Sequence, residues 1–363
     1  MAKIFKTESF QDESVRLLYD YIIERAQSIF KVFKDVYTVN SKDKNLLIQY
    51  YLTSQFQAEA SKSNDLQYNI GVHSPTILLT RTMFDLLLTH EPIGRNITGD
   101  IRNADLVKFK MVHDVRRVMK HQDVLMNNDP DRMLVSSVLT DLCGTFIVLH
   151  EIGHIVLGHV ESANTHFGDD QVVEIFSFKR RKKKEAEIRQ AMEHDADMIA
   201  ARLIPQYIEQ LFTKIQEDKR YQVAFKEIIN SKHPFEKLTS ICLASIYAIF
   251  VYMFGPNTVE DFRYTAHHHP LTRVRTVVNG IVHTLAERWD LDSDLMIDLY
   301  LDNLDEINIV FTRNGIINHS LFSKDFFNTM DDDVKRILDV ASANRHLSHP
   351  YSWLPDTEWS MES

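Results

Sequence analysis

The 363-residue chain is short of the residues that interrupt helices and build turns. Its 10 glycines and 9 prolines make up roughly 5% of the chain, against about 12% in an average protein. That scarcity excludes a collagen-like chain, a glycine-rich linker and a turn-dense all-β fold, and it makes helix the default expectation. Cysteine is nearly missing: Cys143 and Cys242 are the only two, so a disulfide framework is excluded and one bridge stays formally open. Positive charge is in deficit, 41 Lys and Arg against 51 Asp and Glu, for a net charge of −10. A general nucleic-acid coat protein is disfavoured on that balance. No apolar stretch precedes the first charges of MAKIFKTESFQDES, so no secretory signal is visible and a reducing cytoplasmic location is expected.

Long uncharged runs are rare as well. Leu238 to Phe254, LTSICLASIYAIFVYMF, is 17 residues without a charge, short of the roughly 20 that span a bilayer. Thr239, Ser240 and Ser245 interrupt it, so a buried core helix is expected, with a membrane-associated helix as the competing reading. What the chain does have is 44% hydrophobic and 25% charged residues, the balance of a globular protein with a substantial core.

Residues 1–60 read as an N-terminal helical region, led by Val15, Leu18, Tyr19, Ile22 and Ile23 at helical spacing. QYNIGV and TILLT, either side of His73-Ser74-Pro75, read as two short strands around a proline-marked turn, with MFDLLLTH as a helix after them. Arg132 to His159 carries few charges among long apolar runs and should be a helix buried on most faces. Val172 to Phe178 reads as a short strand and Glu185 to Ile204 as a helix. Leu271 to Trp289 reads as another amphipathic helix. The expected fold is therefore α+β and predominantly helical, with a small sheet. Residues 61–290 would form the main domain, and residues 291–363 an acidic helical appendage and tail.

The chemistry concentrates in Leu149-His150-Glu151-Ile152-Gly153-His154. Two histidines four apart lie about 40° from each other around a helix, so both imidazoles can reach one metal ion. The glutamate between them is offset from that face and suits a base acting on water at the metal. Zinc takes nitrogen donors in tetrahedral geometry, and a catalytic site leaves one position open. Burying His, Glu and His in an almost uncharged helix without a partner would cost several kcal/mol, which argues against an accidental match.

A third ligand must come from elsewhere. The metzincin positions after the motif hold Leu157 and Val160, so that arrangement is excluded. His159 lies about half a turn away from His150 on a continuous helix and reaches the site only if the helix breaks at Gly158. Glu193, in AMEHDADMIAARL, is the better candidate. It shares a face with Asp197, and apolar Ala200 and Ile204 continue that face. Glu193 would ligate zinc and Asp197 would accept the outer N–H of a ligand histidine, with His194 and Asp195 as alternatives on neighbouring faces.

His150-Glu151-x-x-His154 followed by Glu193-x-x-Ala196-Asp197 resembles the gluzincin metallopeptidases. His269-Pro270-x-x-x-x-Arg275 is similar to a downstream element of their HtpX-like and CAAX prenyl protease branch. The stretch containing Thr76 to Leu79 resembles the edge strand on which gluzincins lay an extended peptide. These likenesses cover roughly residues 65–290 and imply a zincin-like core with one Zn2+ per chain and a protein or peptide substrate. HtpX-like enzymes carry several membrane spans and this chain at most one, a departure from that branch. The length before the motif helix is similar to that of the soluble Lit family of prophage exclusion peptidases, which implies a host-defence protease acting on a translation elongation factor. In the small ImmA-like peptidases the zinc helix comes earlier.

Resemblance and chemistry imply the same mechanism: zinc polarises a peptide carbonyl, and Glu151 takes a proton from water and passes it to the leaving amine. Donors for the oxyanion are His267, His268, His269 and Tyr264, with His269 preferred because Pro270 suits a first helical turn. Arg275 would pair with Asp197, with a substrate carboxylate, or with a surface acid. The run Lys179–Lys184, KRRKKK, is a weak candidate for an acidic partner or nucleic acid, against the reading of a solvated loop. Cys143, two turns before His150, reads as core packing. The competing functional readings are a non-catalytic scaffold that binds partners through the basic run, and a membrane-associated quality-control peptidase.

Overall fold

A computed structural model describes residues 3–7, 13–37, 43–52, 56–90, 97–100, 104–108, 123–169, 171–173, 181–254, 264–265, 267–289, 291–317 and 324–355. Helices dominate, around one five-stranded sheet and a two-stranded hairpin. The sheet comprises β1 (Lys3–Ile4), β2 (Asn45–Leu52), β3 (Ala58–Asn64), β4 (Gln67–His73) and β7 (Gln171–Val173), in the order β1-β2-β4-β3-β7. β2 runs parallel to β4, with Ile48 opposite Ile70, and the other pairings are antiparallel. The hairpin pairs β5 (Ala104–Lys108) with β6 (Asp123–Asn127).

Residues 45–64 correct the expectation of helix throughout 1–60. Ile48 and Tyr50 on β2, Ala58 and Ala60 on β3, and Tyr68, Ile70 and Val72 on β4 are buried, and Leu47 between them is exposed. That period of two is the signature of a half-buried sheet. Residue 60 lies inside β3, and among the described residues a single core cluster includes members from Leu18 to Leu354.

Thr76 to Leu79 is not a strand either. It belongs to helix α2 (Ser74–Leu88), in which Pro75 occupies the first turn. Proline there has no N–H to lose and its fixed φ suits the helix, so it starts the element instead of turning the chain. No peptide-docking edge exists at 76–79.

Helix α1 (Glu13–Val36) lays Leu18, Tyr19, Ile22, Ala26 and Phe30 into the core. Helix α3 (Pro130–Val156) carries the His-Glu-x-x-His motif. Asp129 caps its start, accepting the N–H groups of Asp131 and Arg132. Gly158, in the left-handed region at φ 72°, separates it from α4 (His159–Phe167). Helix α5 (Lys183–Glu217) packs against α3. It continues past Ile204 and through Pro205, because Ile208, Leu211 and Ile215 extend its buried face.

Two short helices, α6 (Lys219–Ala224) and α7 (Lys226–Ile229), lead to α8 (Pro234–Phe254), the long apolar run. Both α3 and α8 are long and apolar enough to cross a membrane, and the most apolar stretch of each is largely buried inside the fold. Helix α9 (Pro270–Trp289) follows, then α10 (Ser293–Arg313) and α11 (Lys324–Asn344). Two single 3-10 turns, Arg345–Leu347 and His349–Tyr351, close the described chain. Of the expected strand 172–178, residues 172–173 lie in β7 and 174–178 fall outside the described residues.

Candidate metal centre

The centre forms where α3 and α5 cross at close range. Gly153 makes the approach possible: a Cβ there would stand 3.0 Å from the Ala196 Cα and 3.1 Å from its carbonyl oxygen. Those are backbone atoms that cannot rotate aside, so a glycine on α3 facing an alanine on α5 sets the separation. With the helices this close, His150 and His154, one turn apart on α3, face Glu193 and Asp197, one turn apart on α5.

The two imidazoles meet with Nε2 atoms 3.1 Å apart. Glu193 Oε2 is 3.6 Å from His150 Nε2, and Glu193 Oε1 is 3.6 Å from His154 Nε2. One donor atom from each of His150, His154 and Glu193 lies within 4.8 Å of the others, all three residues are buried, and the group can hold a metal ion. Donors held at about 2.0–2.1 Å in tetrahedral geometry stand about 3.3 Å from each other, so these spacings fit a shared ion. Two ring nitrogens 3.1 Å apart also need a hydrogen or a cation between their lone pairs, since bare lone pairs in a low-dielectric interior repel.

The outer ring nitrogens have partners that fix the inward ones. His150 Nδ1 is 2.8 Å from Asp197 Oδ1, and a carboxylate accepts, so Nδ1 carries the hydrogen and Nε2 is left as a ligand atom. Asp197 is itself gripped by Arg273, whose Nε and Nη2 each donate at 2.7 Å. Burial alone would raise the Asp197 pKa, but Arg273 and His150 hold it well below the usual carboxylate range. The Arg273 guanidinium also lies 5.0 Å over the Phe250 ring.

His154 has a partner that spacing on a straight helix hides. The left-handed Gly158 breaks α3 and turns His159 back, placing the two Nδ1 atoms 2.9 Å apart. The nitrogen of His154 turned toward Glu193 is Nε2, so His159 contacts the outer side of the ring and serves as its support. Glu151 is fully buried beside these residues on α3.

Arg275 does not reach Asp197. It pairs with Asp331 at the surface, and Arg273, two residues earlier and about 160° around the helix, takes the inner position. Of the three consecutive histidines, His267 places Nδ1 3.0 Å from Glu193 Oε2. His268 donates from Nε2 to the Gln190 carbonyl at 2.6 Å. His269 accepts the Leu271 N–H on Nδ1 at 3.2 Å, which places its ring hydrogen on Nε2. Tyr264 is 39% exposed. His194 is buried, and burial lowers its pKa, while Asp195 pairs with Arg345 at 3.0 Å on another face.

Cys143 is fully buried and burial pushes its thiol well up, so it is packing and not a nucleophile. Of the basic run, Lys179 and Arg180 fall outside the described residues. Arg181, just before α5, is tied to Glu185 at 2.5 Å, and Lys183 lies 3.8 Å from Glu187 in an ordinary pair along the helix. Arg273 is the residue of this centre that the sequence pattern does not single out, and His159 and His267 take supporting positions in place of the ligand and oxyanion roles weighed for them. The available signal for Arg273 was its place among the apolar positions of α9, beside Val274 and Val277. No family model, curated protein or solved structure matches the chain.

Proposed function

We propose that the chain is a zinc-dependent endopeptidase with a zincin-like core, in which His150, His154 and Glu193 hold the metal and Glu151 is the general base. The observation that carries the reading is the convergence of two buried imidazole Nε2 atoms and a buried carboxylate from a second helix, with both outer nitrogens braced. The nitrogen-rich donor set suits zinc better than magnesium or calcium, which prefer oxygen. Bound there, zinc supplies Lewis-acid polarisation and lowers the pKa of water.

The protein's own part follows from its residues. Glu151 accepts a proton from the attacking water and returns it to the leaving amine. Asp197 keeps His150 in the tautomer that presents Nε2, and Arg273 offsets the carboxylate charge that would otherwise accumulate. His269, with its hydrogen placed on Nε2, is the proposed donor to the oxyanion. His150, Glu151, His154 and Glu193 are all 2% exposed or less, so a protein substrate reaches them through an opened form. The proposed setting is cytoplasmic.

Glu151→Gln tests the reading. Turnover of a cleavable protein should fall by about 10²–10⁴ while the bound zinc stays at the wild-type level. Unchanged cleavage would remove Glu151 from the chemistry, and a wild type without zinc after metal supplementation would remove the peptidase reading altogether.

A further inference from the structure

The C-terminal helix α11 lies far from the motif in sequence and touches the structure that surrounds it. Arg336 donates from Nη2 to the Gln190 side-chain oxygen at 2.9 Å. Gln190 precedes Glu193 by one turn on α5, is 1% exposed, and uses its amide nitrogen on the 265–268 loop, donating to the carbonyls of Thr265 at 3.1 Å and His267 at 3.3 Å. Its own backbone carbonyl accepts from His268 at 2.6 Å. The loop is thus attached to α5 by three hydrogen bonds at one residue. Its product is the position of His267, which is 2% exposed and lies 3.0 Å from Glu193 Oε2.

Asp333, one turn before Arg336, strengthens the same junction. It accepts from Arg336 Nη2 at 2.7 Å and from the Thr272 hydroxyl at 3.1 Å. Thr272 is the neighbour of Arg273, the residue that grips Asp197. One face of α11 therefore reaches both arms of the centre: the loop that carries His267 and the first turn of α9 that carries Arg273.

We infer that α11 is a positioning element of the metal centre, acting from Arg336 through Gln190 onto the 265–268 loop, so that His267 fixes the Glu193 carboxylate for metal binding. The carboxylate accepts, so His267 Nδ1 carries the hydrogen. Held through Oε2, Glu193 keeps Oε1, 3.6 Å from His154 Nε2, for the ion. Outer partners of this kind typically change metal affinity about tenfold to hundredfold. The inference rests on the metal-site reading above and adds three residues that the His-Glu-x-x-His pattern does not contain.

The test is zinc affinity, measured on the full chain by competition with a chromophoric chelator. His267→Leu removes the donor and should bind zinc at least about tenfold more weakly. His267→Asn places an amide nitrogen where Nδ1 was and should restore affinity to within about threefold of wild type, which a merely space-filling role would not produce. Gln190→Glu keeps the acceptor for Arg336 and loses the donor to the loop, so it should resemble His267→Leu. Arg336→Met should weaken binding by less. Cobalt absorbance should shift in His267→Leu and return in His267→Asn, with thermal unfolding of the metal-free proteins reporting separately on folding. Wild-type affinity in both His267→Leu and Gln190→Glu, or equal weakness in His267→Asn and His267→Leu, overturns the inference and leaves the metal site standing. Absence of zinc from wild type removes the site and the inference together.

Discussion

Helices α3 and α5 carry one part-buried and one fully buried polar cluster, and the two differ in how donors and acceptors are matched. The first joins Arg25 on α1 to Asp141 on α3: Arg25 Nη1 donates to both carboxylate oxygens at 2.8 Å and to Thr145 Oγ1 at 2.8 Å. Tyr207 on α5 donates to the same carboxylate at 2.9 Å, and the guanidinium lies 4.6 Å over its ring. Charge meets opposite charge and donors meet acceptors. About 13 Å further along α3, the second cluster brings His150 and His154 against Glu193, with the two Nε2 atoms 3.1 Å apart and each 3.6 Å from a carboxylate oxygen. A self-satisfied network holds helices together. Ring nitrogens and a carboxylate converging at these distances can share a cation as well as a hydrogen.

Predictions follow from breaking one cluster at a time. The largest effect belongs to Glu193→Ala, which should reduce zinc from about one per chain to a small fraction, as elemental analysis of identically prepared proteins will show. Retention of one zinc would shift the third ligand to another donor. In the other cluster, Asp141→Ala strands the Arg25 charge and should cost about 2 kcal/mol of unfolding free energy. That is less than a fully buried pair, because the Arg25 side chain keeps 31% of its exposure. Zinc affinity should stay at the wild-type value, and a change would mean that the clusters are coupled along the helices. Gly153→Ala should do both things: about 1–3 kcal/mol of destabilisation from overpacking against Ala196, and weaker zinc binding as α5 is pushed away. Stability loss with unchanged affinity would show that the close crossing serves packing alone.

The two pairs that meet in the buried group were legible because each depends on spacing within one helix. His150 and His154, then Glu193 and Asp197, are four apart, and helix geometry carries that spacing into space unchanged. The choice of Arg273 over Arg275 depends on how α9 is rotated against α5, and no local pattern contains that rotation. The same limit applies to the histidine run, where loop attachment through Gln190 decides that His267 meets Glu193. Strand β2 was hidden for a different reason. Its alternation of Leu46, Ile48 and Tyr50 with Leu47 and Gln49 is short and half apolar on the outer face, so it competes poorly with a helical background. Pro75 was ambiguous in kind, since proline marks both a turn and the first turn of a helix.

The smallest expected effect sharpens the comparison most, because it concerns a contact present only if the helix breaks. His154 and His159 share one hydrogen between Nδ1 atoms 2.9 Å apart. If His154 binds metal through Nε2, its Nδ1 must hold that hydrogen, and His159 accepts it with its own hydrogen on Nε2. His159→Leu removes the acceptor from a buried N–H and should weaken zinc binding about tenfold, with little loss of helix content. His159→Asn can present its side-chain oxygen near the Nδ1 position and should recover most of that loss. Equal affinity in wild type and His159→Leu would mean that His154 is oriented by packing alone. Equal weakening in both variants would mean that the ring of His159 matters and its acceptor does not. Recovery in Asn alone would show that the break at Gly158 serves the metal centre as well as the chain path.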